Sequence, residues 1–181
     1  MKRQVFFSFH YKADACRTGQ IRNIGVLEGG KIVSDNDWEK VRGGSYDDIQ
    51  RWINEQLDKR SCTVVLIGTE TANRDWIKYE IMKSWELGKG LVGIYVHNLK
   101  DPQTGCSQKG KNPFDNVILQ NGATLSSVIK PYDPLPSDAY NCIKNNIESW
   151  IEEAIERRPR NIQLMQSSRQ YLCEKIFRNG M

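Results

Sequence analysis

Two histidines in 181 residues leave little room for imidazole chemistry, and neither His10 nor His97 stands in an HExxH pattern. A Ser/His/Asp arrangement has no positive support, and there is no GxSxG nucleophile elbow. The five cysteines (Cys16, Cys62, Cys106, Cys142, Cys173) are far apart, odd in number and without a CxxC pair. This argues against a disulfide framework and a structural zinc site, and for reduced thiols in packing roles; no metal is expected. Long apolar runs are missing too. None nears the roughly 20 residues of a membrane-spanning helix, and the VFFSF run after Gln4 is too brief for a signal-peptide core and lacks a small-residue cleavage site. The expectation is a cytoplasmic protein without membrane contact. Neither charge sign dominates: 26 basic against 22 acidic residues give +4, spread along the chain. The locally basic ERRPR (Glu156–Arg160) reads as a solvated helix end, so no nucleic-acid partner is expected.

What the chain does have is alternation. QVFFSFH (Gln4–His10), CTVVLIG (Cys62–Gly68) and LVGIYVH (Leu91–His97) are short, continuous apolar runs rich in β-branched or aromatic residues. Such runs mark strands covered on both faces. Between and after them lie amphipathic helices. SYDDIQRWINEQLDKR (Ser45–Arg60) opens with Ser45 and Asp48 spaced as in a capping box and repeats Ile49, Trp52, Ile53 and Leu57. DWIKYEIMKSWELGKG (Asp75–Gly90) offers Asp75 as N-cap and Gly88 as stop, and DAYNCIKNNIESWIEEAIERR (Asp138–Arg158) ends before Pro159. Helices alternating with strands imply right-handed βαβ units, hence an α/β fold: an open parallel sheet with helices on both faces. A further short strand is expected near residues 30–34. Loop signals dominate from Asn98 to Pro136, a length usual for functional or mobile segments. The expected division is one domain over 1–158 and a C-terminal extension over 159–181, helical in character.

Two glycine motifs fail on context. GKGLVG (Gly88–Gly93) spells GxGxxG but leaves a helix and enters a strand, so no helix N-terminus faces a pyrophosphate. GVLEGGKI (Gly25–Ile32) has phosphate-loop spacing, yet Ile32 stands where a magnesium-binding hydroxyl is required.

VFFSFHYKADACR (Val5–Arg17), DNDWEK (Asp35–Lys40), VVLIGTETANRDWIKYEIMKS (Val64–Ser84) and KGKNPFDN (Lys109–Asn116), in that order, resemble the bacterial TIR-like domains related to the ThsB proteins of Thoeris anti-phage defence. The resemblance covers roughly the first 120 residues. It implies a flavodoxin-like sheet and an NAD-cleaving enzyme whose ADP-ribose product is cyclised into a signal for a partner effector protein, under an unknown phage trigger. NAD would be substrate and no cofactor is implied; self-assembly into a homo-oligomer is a further possibility. The glutamate such enzymes need, on the helix after the third sheet strand, falls on Glu80.

The residues around that position support a chemical reading. Trp76, Tyr79, Glu80 and Lys83 share a helix face, which would leave the carboxylate partly desolvated by rings and near one cation. Phe6, Ser8 and His10 at the end of the first strand are placed to meet it, because ligands of open α/β sheets collect at the carboxyl ends of strands. Phe6 or Trp38 would stack an aromatic base, and Asn112 would donate to a phosphate or ribose. Against these stand plainer readings. Glu80 is a surface ion pair, Phe6 and Trp76 are core, Asn112 is turn chemistry, and Asp14, Arg17 and Arg22 form ion pairs on a solvated helix. A non-catalytic TIR-like assembly module is the alternative function.

Overall fold

The three apolar runs pair side by side as parallel strands: β1 (Val5–Ser8), β2 (Cys62–Ile67) and β3 (Gly90–Tyr95). The protein is seen here as a computed structural model that describes residues 3–24, 44–158, 163–166 and 170. The sheet order is β1-β2-β3, with Val5 opposite Cys62 and Cys62 opposite Gly90. Every residue of β2 is buried, as expected of a central strand covered on both faces. Outside β3, Tyr132 forms a one-residue parallel bridge to Ile94, so the edge is partly closed. β1 is shorter than the run Gln4–His10 because His10 already heads a helix, its carbonyl accepting from the Ala13 and Asp14 N–H groups. The expected strand near 30–34, together with Trp38, lies outside the described residues.

Among the described residues, four helices cover the sheet: α1 (Tyr11–Arg22), α2 (Tyr46–Asp58), α3 (Asp75–Glu86) and α4 (Ala139–Glu156). Alternating strand residues sort them onto two faces. Val5, Val64, Leu66, Val92 and Ile94 pack against Ile21 of α1 and Ile143, Ile147 and Ile151 of α4. Val65, Ile67 and Leu91 face Ile77, Ile81 and Met82 of α3, while Phe6 meets Ile49, Ile53 and Leu57 of α2. This is the doubly wound, flavodoxin-like α/β architecture.

Local chemistry sets the helix ends. Ser45 and Asp48 form the reciprocal capping box at the start of α2. At α3 the expected cap is corrected: Arg74 holds the N-cap position without a side-chain bond, and Asp75 is the first helical residue, its charge complementing the positive end of the helix dipole. Gly88 ends that segment at φ +63, a left-handed conformation suited to glycine. GKGLVG is therefore a helix stop feeding a strand. The described cysteines, Cys16, Cys62, Cys106 and Cys142, are all free thiols.

The long segment between β3 and α4 is packed rather than loose. Phe114, Val117, Leu119 and Leu125 are buried in the cluster on the α3 side. Its 3-10 turn at Pro113–Asn116 seats Phe114 against Gly93, where a Cβ would come within 2.6 Å of the phenyl Cε2. Of the expected extension, residues 163–165 pair antiparallel with 118–120, and Leu164 is buried in the same cluster.

Truncating Phe114 to alanine should cost about 3–5 kcal/mol in denaturant unfolding, because the ring is fully buried. Gly93→Ala should destabilise by collision with that ring, and combining it with Phe114→Leu should cost less than the sum of the two single changes. Strict additivity would mean that the ring and Gly93 do not touch.

Candidate functional site

Ser8 is the last residue of β1 and, by the two-residue period, faces the same side as Phe6, toward α3. Glu80 lies in the middle of α3, the helix that follows β2. The two meet: the Ser8 hydroxyl donates to Glu80 Oε2 at 2.5 Å. Ser8 is 1% exposed and Glu80 5%. The carboxyl group is thus held out of water at the end of the sheet where the strands' carboxyl termini lie, with one short hydrogen bond from a neighbouring element.

Burial pushes the Glu80 carboxyl up to about 8, and the Ser8 hydrogen bond pulls in the opposite direction without cancelling it. The expected nearby cation is not part of this balance. Lys83 is only half-buried, and no described residue forms an ion pair with Glu80. The plain surface ion pair is overturned as well, since the group is neither on the surface nor paired with a charge.

Several contacts hold α3 so that this geometry persists. The Ser84 hydroxyl, one turn on, donates to the Glu80 carbonyl at 2.6 Å, and lies 2.7 Å from the Thr63 hydroxyl of β2. Both hydroxyls are buried, so this pair ties the helix to the central strand. Tyr79 donates its hydroxyl to Asn54 Oδ1 of α2 at 3.0 Å and meets the Trp76 ring edge-on at 5.8 Å between centroids.

The proposed binding residues separate accordingly. Ser8 touches Glu80. His10 heads α1, half-buried, two residues past the end of β1. Phe6 is a correction: it is a core ring between β1, α2 and Tyr79, with its faces occupied. Tyr79 is 9% exposed with its hydroxyl turned to α2, and Trp76 packs on the same cluster, so both anchor the helix. Asn112 caps the 3-10 turn, its Oδ1 accepting from the Phe114 N–H at 3.1 Å. That is the plainer, turn-forming role. No described contact joins it to Ser8 or Glu80.

Sequence reasoning missed a second buried group on α1. Asp14 and Arg17 are 1% and 3% exposed rather than solvated. The Arg17 guanidinium donates to Leu99 O at 3.0 Å and to Gly105 O at 2.9 Å, pinning the loop after β3, and lies 3.4 Å from Asp14 Oδ1. Burial raises the Asp14 carboxyl while Arg17 lowers it. Asp14 lies over Gly68, just beyond β2, where a Cβ would stand 2.1 Å from Asp14 Oδ2; Gly110 crosses the other side, its own Cβ position 2.0 Å from Gly68 O. Thr69 then fastens the crossing segment by donating to Gln108 O at 2.6 Å. The available signal was the glycine closing VVLIG: a glycine right after a buried strand often marks close backbone approach.

Residues 6–101, more than half of the chain, match the family described as Thoeris protein ThsB, TIR-like domain. Ser8, the Asp14–Arg17 group, β2, Glu80 and β3 all fall within that span. A relative from Bacillus cereus (strain MSX-D12), described as "Putative cyclic ADP-D-ribose synthase ThsB1", is 39% identical over 125 residues, which cover 66% of this chain and 65% of the relative. The chain thus spans just under two thirds of the length of that relative. On the matched span and the parallel α/β sheet that it builds, the chain belongs to the ThsB TIR-like domain family.

Proposed function

We propose that this protein cleaves NAD at the bond between nicotinamide and ribose and joins the ADP-ribose remainder into a cyclic isomer, an anti-phage signal read by a partner effector. The supporting observation is the buried carboxyl of Glu80, held by Ser8 at the carboxyl end of the sheet. In this reading the protein is cytoplasmic, needs an infection trigger, self-associates, and carries its TIR-like unit in residues 1–158 with an extension over 159–181.

The chemistry asks for one anion. The C–N bond to nicotinamide breaks with its electron pair moving to the ring, which leaves neutral, so no strong acid is needed. The difficulty is the positive, oxocarbenium-like ribose. An ionised Glu80 beside that ribose stabilises the developing charge and orients the hydroxyls. A nucleophilic atom elsewhere on the same ADP-ribose then bonds to the ribose C1, closing the ring and releasing any proton it carried. Ser8 fixes the carboxyl and favours its ionised form, making it a positioning residue in place of the direct substrate contact expected from sequence. His10 and Asn112 remain binding candidates, as does Trp38 on the sequence alone.

One feature favours the alternative. A carboxyl raised to about 8 is mainly neutral at pH 7, and a neutral acid bonded to Ser8 would serve equally as a tie between β1 and α3 in a non-catalytic assembly module. Turnover separates the two readings. Purified protein incubated with NAD in lysate from phage-infected cells should release nicotinamide, and Glu80→Gln should slow this by about 10²–10³-fold. Full activity in that variant would dismiss the assigned role.

Because the free protein must ionise Glu80 first, kcat/KM should rise with pH and level off above about 8. Ser8→Ala removes the bond that favours ionisation, so its rise should move to still higher pH; an unmoved profile would show that Ser8 does not tune the acid.

Stability has its own pH signature. Between about 4.5 and 8 the folded protein keeps a Glu80 proton that the unfolded chain has released. The contribution is full below the lower value and is lost as pH rises through the upper one, at up to about 1.4 kcal/mol per pH unit. Thermal melts should show this fall in the parent and a flatter curve in Glu80→Gln.

A further inference from the structure

At the far end of the sheet from Ser8 lies a cavity of about 300 Å³. Its floor includes Leu91 and Val92, the second and third residues of β3, so it opens toward the amino ends of the strands while Glu80 sits toward the carboxyl ends. Three aromatic residues wall it. Tyr132 and Trp150 are already parallel, with centroids 4.1 Å apart and planes 10° from coplanar, and Trp85 of α3 contributes from the other side. Among the described residues, four cations line it (Lys89, Lys130, Arg157, Arg158) against one acid, Glu153.

That acid is already engaged within the lining, where it offsets one of the cations. Glu153 pairs with Arg157 at 2.5 Å and accepts from the Tyr132 hydroxyl at 3.3 Å. Among the described residues, two of the remaining cations bond to carbonyl oxygens: Lys89 donates to Asp58 O at 3.2 Å, and Arg158 to Gly88 O. Carbonyl contacts hold these groups in place without neutralising them. Lys130 is exposed and forms no ion pair among the described residues. The result is a bounded hollow with an aromatic wall and an excess of uncompensated positive charge.

We infer that this cavity is a second binding site that takes a small phosphorylated ring compound of nucleotide type, its ring against the Tyr132–Trp150 wall and its phosphate at the Lys130 side. Each half of the ligand answers one half of the lining. Planar rings gain from stacking and from burial against apolar residues, and phosphate oxygens gain from charge-assisted donors. A half-open hollow of this size suits a mononucleotide better than an extended chain. The site is separate from the proposed NAD chemistry and does not depend on it.

Adenosine monophosphate is the probe, read through the indole N–H signals of ¹⁵N-labelled protein. Saturable shifts of Trp150 and Trp85 are expected at millimolar ligand or below, with adenosine and inorganic phosphate each binding about tenfold more weakly because each supplies one half of the recognition. Lys130→Glu, a change at an exposed residue without an ion pair, should weaken AMP by about tenfold. Trp150→Leu should abolish the preference for AMP over phosphate. Equal AMP affinity in the parent and Lys130→Glu, no saturation, or shifts confined to Trp76 on the Glu80 side would each overturn the assignment. Nicotinamide release by Lys130→Glu at the parent rate, alongside lost AMP binding, would keep the two sites distinct.

Discussion

A carboxyl group shut away between a strand and a helix is the constraint around which this end of the molecule is arranged. Out of water, Glu80 must either stay neutral or find partners for a charge, and among the described residues its side chain has one, the Ser8 hydroxyl at 2.5 Å. A single short bond works only if both ends are fixed. Ser8 is fixed by its register in β1 opposite Val65. Glu80 is fixed because α3 is tied at its next turn to Thr63 through Ser84, and flanked by Tyr79, whose hydroxyl reaches Asn54. The rings near Glu80 are therefore supports. Phe6, Trp76 and Tyr79 bury the helix against β1 and α2, and this is what dries the carboxyl.

The neighbouring edge of the site is made by backbone proximity. Gly68 ends β2 where Asp14 presses from α1 and Gly110 crosses above, leaving no room for a side chain. Arg17 spreads its donors over two carbonyls of the loop after β3 and so converts a long connection into a fixed rim. Burying Asp14 and Arg17 together is costly for either alone, which makes the group sensitive to loss of one partner and gives α1, the end of β2 and the loop a common anchor.

Legibility followed the strength of the physical signal. Continuous apolar runs fixed three strands to within a residue or two, and Ser45 with Asp48 marked the start of α2 because capping is local chemistry. The Ser8–Glu80 meeting could be anticipated from strand ends and a helix midpoint, since α/β topology brings those together. Asp14 and Arg17 could not: α1 carries almost no apolar periodicity, so nothing in its pattern distinguishes a polar face turned inward from one turned to water. Phe6 was misread for the complementary reason, because how closely α2 and α3 shut over a strand is a tertiary fact. Asn112 beside Pro113 was ambiguous by type; its Oδ1 accepts the Phe114 N–H and so serves the turn. Lys83 shares a helix face with Glu80 by spacing alone, but the carboxyl turns inward to β1 and the ammonium stays at the half-buried margin.

A neutral acid in the free protein and an anion in the proposed transition state are consistent once the ligand's own charge is counted. The nicotinamide ring of intact NAD is positive, and a cation beside Glu80 favours its ionised form; by linkage, the ionised form favours that cation by the same free energy. Without such a ligand, the charged carboxyl bears the desolvation cost alone and takes up a proton. When the glycosidic bond breaks, the positive charge passes from the ring to the ribose, which stays, while the ring becomes neutral and loses that attraction. A buried acid with one hydroxyl partner and no competing cation would therefore discriminate between intact NAD and released nicotinamide by charge. A permanent Lys–Glu pair at the same place would lose this property, because its carboxylate would be compensated before any substrate arrived.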